Sequence, residues 1–312
     1  GILMAGQQVA LGKYLAFSRG QEAGADESAK RFMHTAGVSG RGIISFFKKL
    51  QNLEFRYSVP QDTYATDHPL TGDRIAVLQE ALAADPAWNK PTDPLLEARF
   101  QRVKAKLNGY ILDAKDTFNR YPESDRSIAA HYARAYAWHK SAYPDKALAE
   151  ADALLATAPH DPYFEELKGQ ILLESGRPAE ALVLLRDAVQ RTDYQPLIAA
   201  LFGHALIATE NPANYEEAKR ILHSAIARDD QNPFAWYQLG VIYTQQGDAP
   251  RAALASAERY NLEGKARPAL ANAELAMRGL ATGTPDWLRA QDIALVSKTQ
   301  ADDDKRHHRR QQ

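Results

Sequence analysis

No cysteine occurs in the 312 residues, which excludes a disulfide framework and any thiolate metal site; a metal here would have to be held by His, Asp or Glu. Charge of neither sign is in excess, since 38 Lys and Arg face 39 Asp and Glu for a formal net charge of -1. That balance lacks the basic surplus of a nucleic-acid-binding chain, so nucleic acid is not an expected partner. Long apolar runs are missing too. The longest stretch, "GILMAGQQVALGKYLAF" at 1–17, is broken by Gln7, Gln8 and Lys13 and falls short of the roughly 18 uninterrupted residues of a membrane span. It reads as a buried or interfacial helix. Position 1 is Gly, and no basic, apolar and small-residue segments follow in the order of a signal peptide, so the chain reads as beginning mid-protein.

β-branched runs are short, and no strand is expected. Ala, Leu, Glu, Lys, Gln and Arg dominate, with Pro and Gly falling between segments, which predicts an all-α chain. One or two helices are expected over 1–35, ending near Gly37. Ser39 can cap a helix over "GRGIISFFKKLQNLEFRY", where Ile43, Phe46, Phe47, Leu50 and Leu53 recur at helical spacing. The turn-rich loop 58–69 follows, then a helix capped by Thr71 and running to about Leu82, with Asp73 near its positive end. "DPAWNKPTDP", with three prolines in ten residues, predicts a linker at 85–93.

Beyond it the sequence repeats itself. Ala135, Gly169, Gly203 and Gly240 recur at intervals of 34, 34 and 37, and Ala147, Ala181, Ala218 and Ala252 at 34, 37 and 34. A helix, a turn and a second helix, with a small residue where the two pack closely, make the tetratricopeptide signature. Trp236, Leu239, Gly240, Tyr243 and Ala252 stand at its consensus offsets, and the three extra residues of the third unit fall in the inter-helix turn "TENPANY". Four clear repeats are expected over about 128–266, with a degenerate helical pair before them at 94–123 and a helical cap at 267–294. Residues 295–312 lead into the charged "TQADDDKRHHRRQQ", which lacks apolar anchors and is expected to be disordered.

Local motifs carry little chemistry alone. His307 and His308 read as solvated, "GVSGRG" at 37–42 reads as a helix-capping turn without Walker spacing, and no Ser, His and Asp set stands in a nucleophile context. Glu22 and Asp26, one helical turn apart, fit either a solvated acidic face or half of a metal site. His68, taken alone, is a loop histidine.

Their order is more informative. The E-x-x-x-D of Glu22 and Asp26, the H-P-x-x-x-x-R of His68 to Arg74, the proline-rich linker and repeats containing "YFEELKGQILLESGR" resemble one known arrangement over about 14–294. The chain is similar to the C-terminal part of the bacterial zinc metallopeptidases that include the CAAX prenyl endopeptidases and the periplasmic beta-barrel assembly-enhancing proteases. The resemblance implies one zinc ion in the complete protein, with Glu22 as its third ligand and Asp26 behind a ligand histidine. It also implies His68 as a removable regulatory ligand and Arg74 as a brace for that loop or for a carboxylate. None of the nine histidines is followed by Glu, so the family's H-E-x-x-H is absent, and with it two ligands and the general base. This chain alone is therefore expected to be inactive.

The resulting expectation is a partial gluzincin-type metallopeptidase helical domain at 1–84, a linker at 85–93 and a tetratricopeptide solenoid at 94–294. Tyr132, Tyr136, His139, Glu166, Gln170, His204 and Tyr237 are expected to line the groove of the repeats, where polypeptide clients or partner proteins would bind. The implied function is a zinc metalloendopeptidase of envelope protein quality control, in the periplasm or associated with the membrane. The alternative is a non-catalytic repeat scaffold or chaperone.

Overall fold

The computed structural model describes residues 20–57 and 72–310, with side chains over 20–52 and 72–301. Every regular element among them is helical. The chain forms two compact units, Gly1–Phe100 and Gln101–Gln312.

In the first unit α1 spans 20–36 and closes on Gly37, whose φ of +62° needs no Cβ and directs its N–H to the His34 carbonyl at 3.0 Å. Helix α2 (Arg41–Tyr57) follows; Ser39 Oγ accepts from the Arg41 N–H at 3.3 Å and donates to the Trp88 carbonyl at 2.6 Å. Helix α3 covers Gly72–Ala83, and its expected cap Thr71 lies outside the described residues. Ile44, Ile75, Leu78 and Leu82 form a small core, joined by Met33, Ile43, Phe47 and Trp88. Phe46, expected on that apolar face, is exposed, because the contact is centred on Ile44 and Phe47 instead; the Leu53 side chain lies outside the described residues.

The proline-rich segment is a turn anchored to this unit. Asp85 Oδ1 accepts from the Ala87 N–H at 2.7 Å, its other oxygen meets His34 Nδ1 at 2.7 Å, and Trp88 lies 5.3 Å beneath the Arg41 guanidinium. The chain passes into the second unit inside α4 (Pro94–Ile111), between Phe100 and Gln101.

The second unit contains the short α5 (Ala114–Arg120) and four helix pairs: α6 and α7 (Ile128–Lys140, Pro144–Thr157), α8 and α9 (Pro162–Glu174, Pro178–Arg191), α10 and α11 (Pro196–Ala208, Tyr215–Arg228), α12 and α13 (Pro233–Gln245, Ala249–Leu262). Three first helices begin with Pro behind a capping side chain: Asp161, Gln195 and Asn232 each accept from first-turn N–H groups. The small residues sit where helices touch. A Cβ added at Gly169 or Gly203 would come within 2.6 Å of Leu185 or 2.7 Å of Leu222 on the paired helix, whereas at Gly240 the nearest atom is 3.6 Å away. Ala135, Ala147, Ala181 and Ala218 are fully buried, and Ala252 is half-buried. The insertion in the third pair forms a 3-10 turn at Pro212–Asn214.

Helices α14 (Ala266–Gly279) and α15 (Pro285–Arg310) complete the unit, α14 burying Ala266, Ala269, Ala273 and Ala276 at helical spacing. The disorder expected from 295 onward is corrected here, since α15 continues to Arg310. Its buried stripe of Ala290, Ile293, Ser297 and Ala301 consists mostly of small residues, which a search for large apolar anchors overlooks. His307 and His308 belong to this helix, but their side chains lie outside the described residues. No described helix is long and apolar enough to cross a membrane.

Candidate functional site

Glu22 and Asp26 project from one side of α1, and Arg74, near the start of α3, holds both. Its Nε meets Asp26 Oδ2 at 2.6 Å and its Nη2 meets Asp26 Oδ1 at 2.8 Å, a side-on bidentate pair, while Nη2 also reaches Glu22 Oε2 at 2.8 Å. The guanidinium lies 5.4 Å from the Phe47 ring centre, and all three side chains are only 14–16% exposed. Hydrogen bonding to Asp26 is the largest influence raising the Arg74 pKa; burial opposes it, and the charges of Asp26 and Glu22 add to it. The alternative of a solvated acidic face is thereby removed for this pair. His68 lies outside the described residues.

The donor set suits the outer half of a metal centre. Asp26 gives both oxygens to Arg74, and Glu22 is held through Oε2 by the same guanidinium. Among the described residues, three metal-type ligands gather elsewhere, at His160, Glu165 and Asp187, whose ligand atoms lie within 4.8 Å of one another. That cluster is already engaged: Arg191 Nε meets Asp187 Oδ2 at 2.7 Å, and His160 Nδ1 meets the same oxygen at 3.0 Å. Burial first, then the hydrogen bond and charge of Asp187, push the Glu165 carboxyl up to about 7.

On the repeats, the expected groove residues fall into two groups. Tyr237 is exposed, with Arg259 over its ring at 5.2 Å, and His204 stands edge-on to Phe234 with ring centres 5.5 Å apart. His139 Nε2 and Gln170 Nε2 share Glu174, at 2.7 and 2.8 Å. Tyr132 and Tyr136, however, are buried, which corrects the expectation that they face an open groove. The part of α4 within this unit covers them. Ala105 and Gly109 are buried, and a Cβ on Gly109 would lie 2.4 Å from the Ala133 carbonyl oxygen and 2.8 Å from Tyr136 Cβ.

Two cations of α4 reach across the same surface. Arg102 pairs with Asp161 through both terminal nitrogens, at 2.7 and 3.1 Å, and its guanidinium carbon lies 4.8 Å from the ring centres of Tyr163 and Phe164. Lys106 Nζ stands 3.5 Å from Glu166 Oε1 and 5.4 Å from the Tyr136 ring centre. These contacts are hidden in the sequence, where α4 reads as a degenerate repeat helix; the signal for them is a pair of cations at i, i+4 with Ala105 and Gly109 on the same side.

A second hidden feature is structural. Buried Arg134 spans Glu150 (Nε to Oε1, 2.7 Å) and the carbonyls of Pro122 and Asp125 (2.9 and 2.8 Å), tying α7 to the turn before α6.

Residues 2–82 match the family model "Peptidase family M48". The N-terminal segment is thus similar to peptidase family M48. The Glu22, Asp26 and Arg74 cluster lies inside the M48 match. A curated relative, the Beta-barrel assembly-enhancing protease of Yersinia pestis, is 23% identical over 262 residues, covering 82% of this chain and 52% of that protein. The chain thus spans about half the length of the curated relative it matches. Among solved structures, pilF of Pseudomonas aeruginosa is 19% identical, covering 64% of this chain and 99% of its own, with a TM-score of 0.42. A thermophilic tetratricopeptide protein of Thermus thermophilus is also 19% identical, covering 54% and 100% of the two chains, with a TM-score of 0.37. These two loose likenesses concern the fold alone.

Proposed function

We propose that this chain is part of a zinc metalloendopeptidase of envelope protein quality control, periplasmic or membrane-associated, in which the repeats recruit polypeptide clients. The observation that carries the reading is the Glu22, Asp26 and Arg74 cluster within the M48 segment. In this reading Glu22 is the protein's carboxylate ligand and Asp26, fixed by Arg74, orients a ligand histidine by accepting its ring N–H. His68 is a removable ligand that restrains the enzyme at rest. The chemistry a zinc ion supplies when bound is polarisation of the scissile carbonyl and activation of a water molecule. The side chains present here position; the H-E-x-x-H they would serve is not in this sequence, and the chain alone is expected to be inactive.

Zinc titration of the complete protein tests the assignment. Glu22→Ala should abolish stoichiometric zinc, and Asp26→Ala should weaken it about 10- to 100-fold. Zinc binding unchanged in Glu22→Ala would discard the site. His68→Ala should raise basal proteolysis, and unchanged proteolysis would remove its regulatory role.

A further inference from the structure

The surface beneath α4 has a chemical character of its own. Asp161 and Glu166 bring two carboxylates to a floor of aromatic rings, and α4 answers with Arg102 and Lys106, one helical turn apart. Ala105, between the cations, and Gly109, three residues beyond Lys106, are buried toward the same surface, and at Gly109 the backbone of α6 leaves no room for a Cβ.

The fit is uneven. Arg102 satisfies Asp161 with two hydrogen bonds, but Lys106 reaches only one oxygen of Glu166, at the outer limit of hydrogen bonding. Glu166 Oε2 and the Tyr136 hydroxyl are buried with no hydrogen-bond partner among the described residues. Buried polar groups without partners are rare and costly, so this surface could be better satisfied than α4 satisfies it. Burial, opposed by Lys106 and Arg102, raises the Glu166 carboxyl, in keeping with incomplete neutralisation.

We propose that the face built from Asp161, Glu166, Tyr132, Tyr136, Tyr163 and Phe164 is a recognition site for a helical peptide with two cations four residues apart and small residues at the third and seventh positions after the first cation. Helix α4 carries that pattern in "RVKAKLNG" at 102–109 and occupies the site in the resting chain. A partner helix with an arginine in place of Lys106 could reach both Glu166 oxygens and the Tyr136 hydroxyl, since a guanidinium presents a fork of donors where an ammonium presents a point charge. The inference deepens the client-recruiting reading of the repeats by naming the chemistry of one class of client, and it rests on that reading.

The test is fluorescence anisotropy with the intact protein and a labelled, end-capped peptide of residues 98–111 carrying Lys106→Arg. Gly109→Leu, which forces α4 off while leaving every acid and ring in place, should bind this probe at least ten-fold more tightly than the wild type. Adding Glu166→Gln, or Asp161→Asn, which keeps the α8 cap, should remove that gain. No gain in Gly109→Leu, or equal binding of a probe with both cations changed to Gln, overturns the proposal. Should Gly109→Leu fail to fold by circular dichroism, Arg102→Gln with Lys106→Gln in the protein loosens α4 without added volume, and the same outcomes decide. A parallel arm measures capture of reduced, carboxymethylated α-lactalbumin. Capture without discrimination between probes overturns the cation pattern alone and leaves general client recruitment intact. Selective probe binding without such capture supports the pattern and removes the broader reading.

Discussion

Two pairs of carboxylates in this protein are met by cations in different ways. Glu22 and Asp26 share one arginine through three contacts of 2.6 to 2.8 Å, all well shielded from water. Asp161 and Glu166 face two cations on one helix, yet among the described residues Glu166 has only the 3.5 Å contact and a second oxygen without a partner. The first arrangement fixes both side chains; the second holds its helix with one strong pair and one weak contact. Number of charges does not separate them. Geometry does, because a bidentate guanidinium constrains direction and distance together, while an ammonium on a flexible stem constrains neither.

The comparison can be broken most forcefully at Arg74. Removing it leaves two shielded carboxylates facing each other, so Arg74→Ala should destabilise the first unit by about 2–4 kcal/mol, with Arg74→Lys recovering only part. Urea unfolding followed by Trp fluorescence reads this, and a loss below about 0.5 kcal/mol would show the clamp to be dispensable.

Glu165, the neighbour of Glu166 on α8, gives the next largest effect and a pH signature. It is only 3% exposed, and His160, Asp187, Arg191 and Asp161 are the charged or titratable groups acting on it. Its folded pKa of about 7 stands above the ordinary 4.5, so the folded state holds the proton more tightly. The corresponding stability is present below about pH 4.5 and is lost as pH rises through 7. Glu165→Gln should flatten that decline, with a difference from wild type of up to about 3 kcal/mol between pH 4 and pH 8. Parallel stability profiles for the two proteins would refute it.

Glu166→Gln sharpens the contrast most gently. Its carboxyl is also raised, so stability is again lost as pH rises above the ordinary carboxylate range. The substitution should leave the repeats equally or slightly more stable at pH 8 and change little at pH 4, opposite in sign to Arg74→Ala. Marked destabilisation at pH 8 would mean that Lys106 neutralises Glu166 after all.

The repeats were legible in the sequence because their small residues are dictated by helix contact: Gly169 and Gly203 have no room for a methyl group. The E-x-x-x-D turn was legible as a pair, but only Arg74, 48 residues beyond Asp26, shows which way it is held. Helix α4 was legible as the first of the pair expected over 94–123, but its docking face was not. Its core-facing residues are Arg102, Ala105, Lys106 and Gly109, while Phe100, Val103, Leu107, Tyr110 and Ile111 are exposed, so hydrophobic periodicity points to the opposite face from the one that docks. The end of α15 was obscured for a related reason, since alanine and serine bury well but register weakly as apolar anchors.

The covalent attachment of α4 to the surface it covers also fixes a threshold. A tethered segment competes as a ligand at constant local concentration, in the millimolar range for short flexible connections, however dilute the protein becomes. Dilution therefore cannot open the site, and a weak basic helix at micromolar abundance is excluded by mass action alone. Entry is confined to partners whose concentration relative to their own dissociation constant exceeds that of the resident helix. Glu166 Oε2 and Tyr136 Oη, buried and without a partner among the described residues, set how far a better-fitting partner can lower that bar.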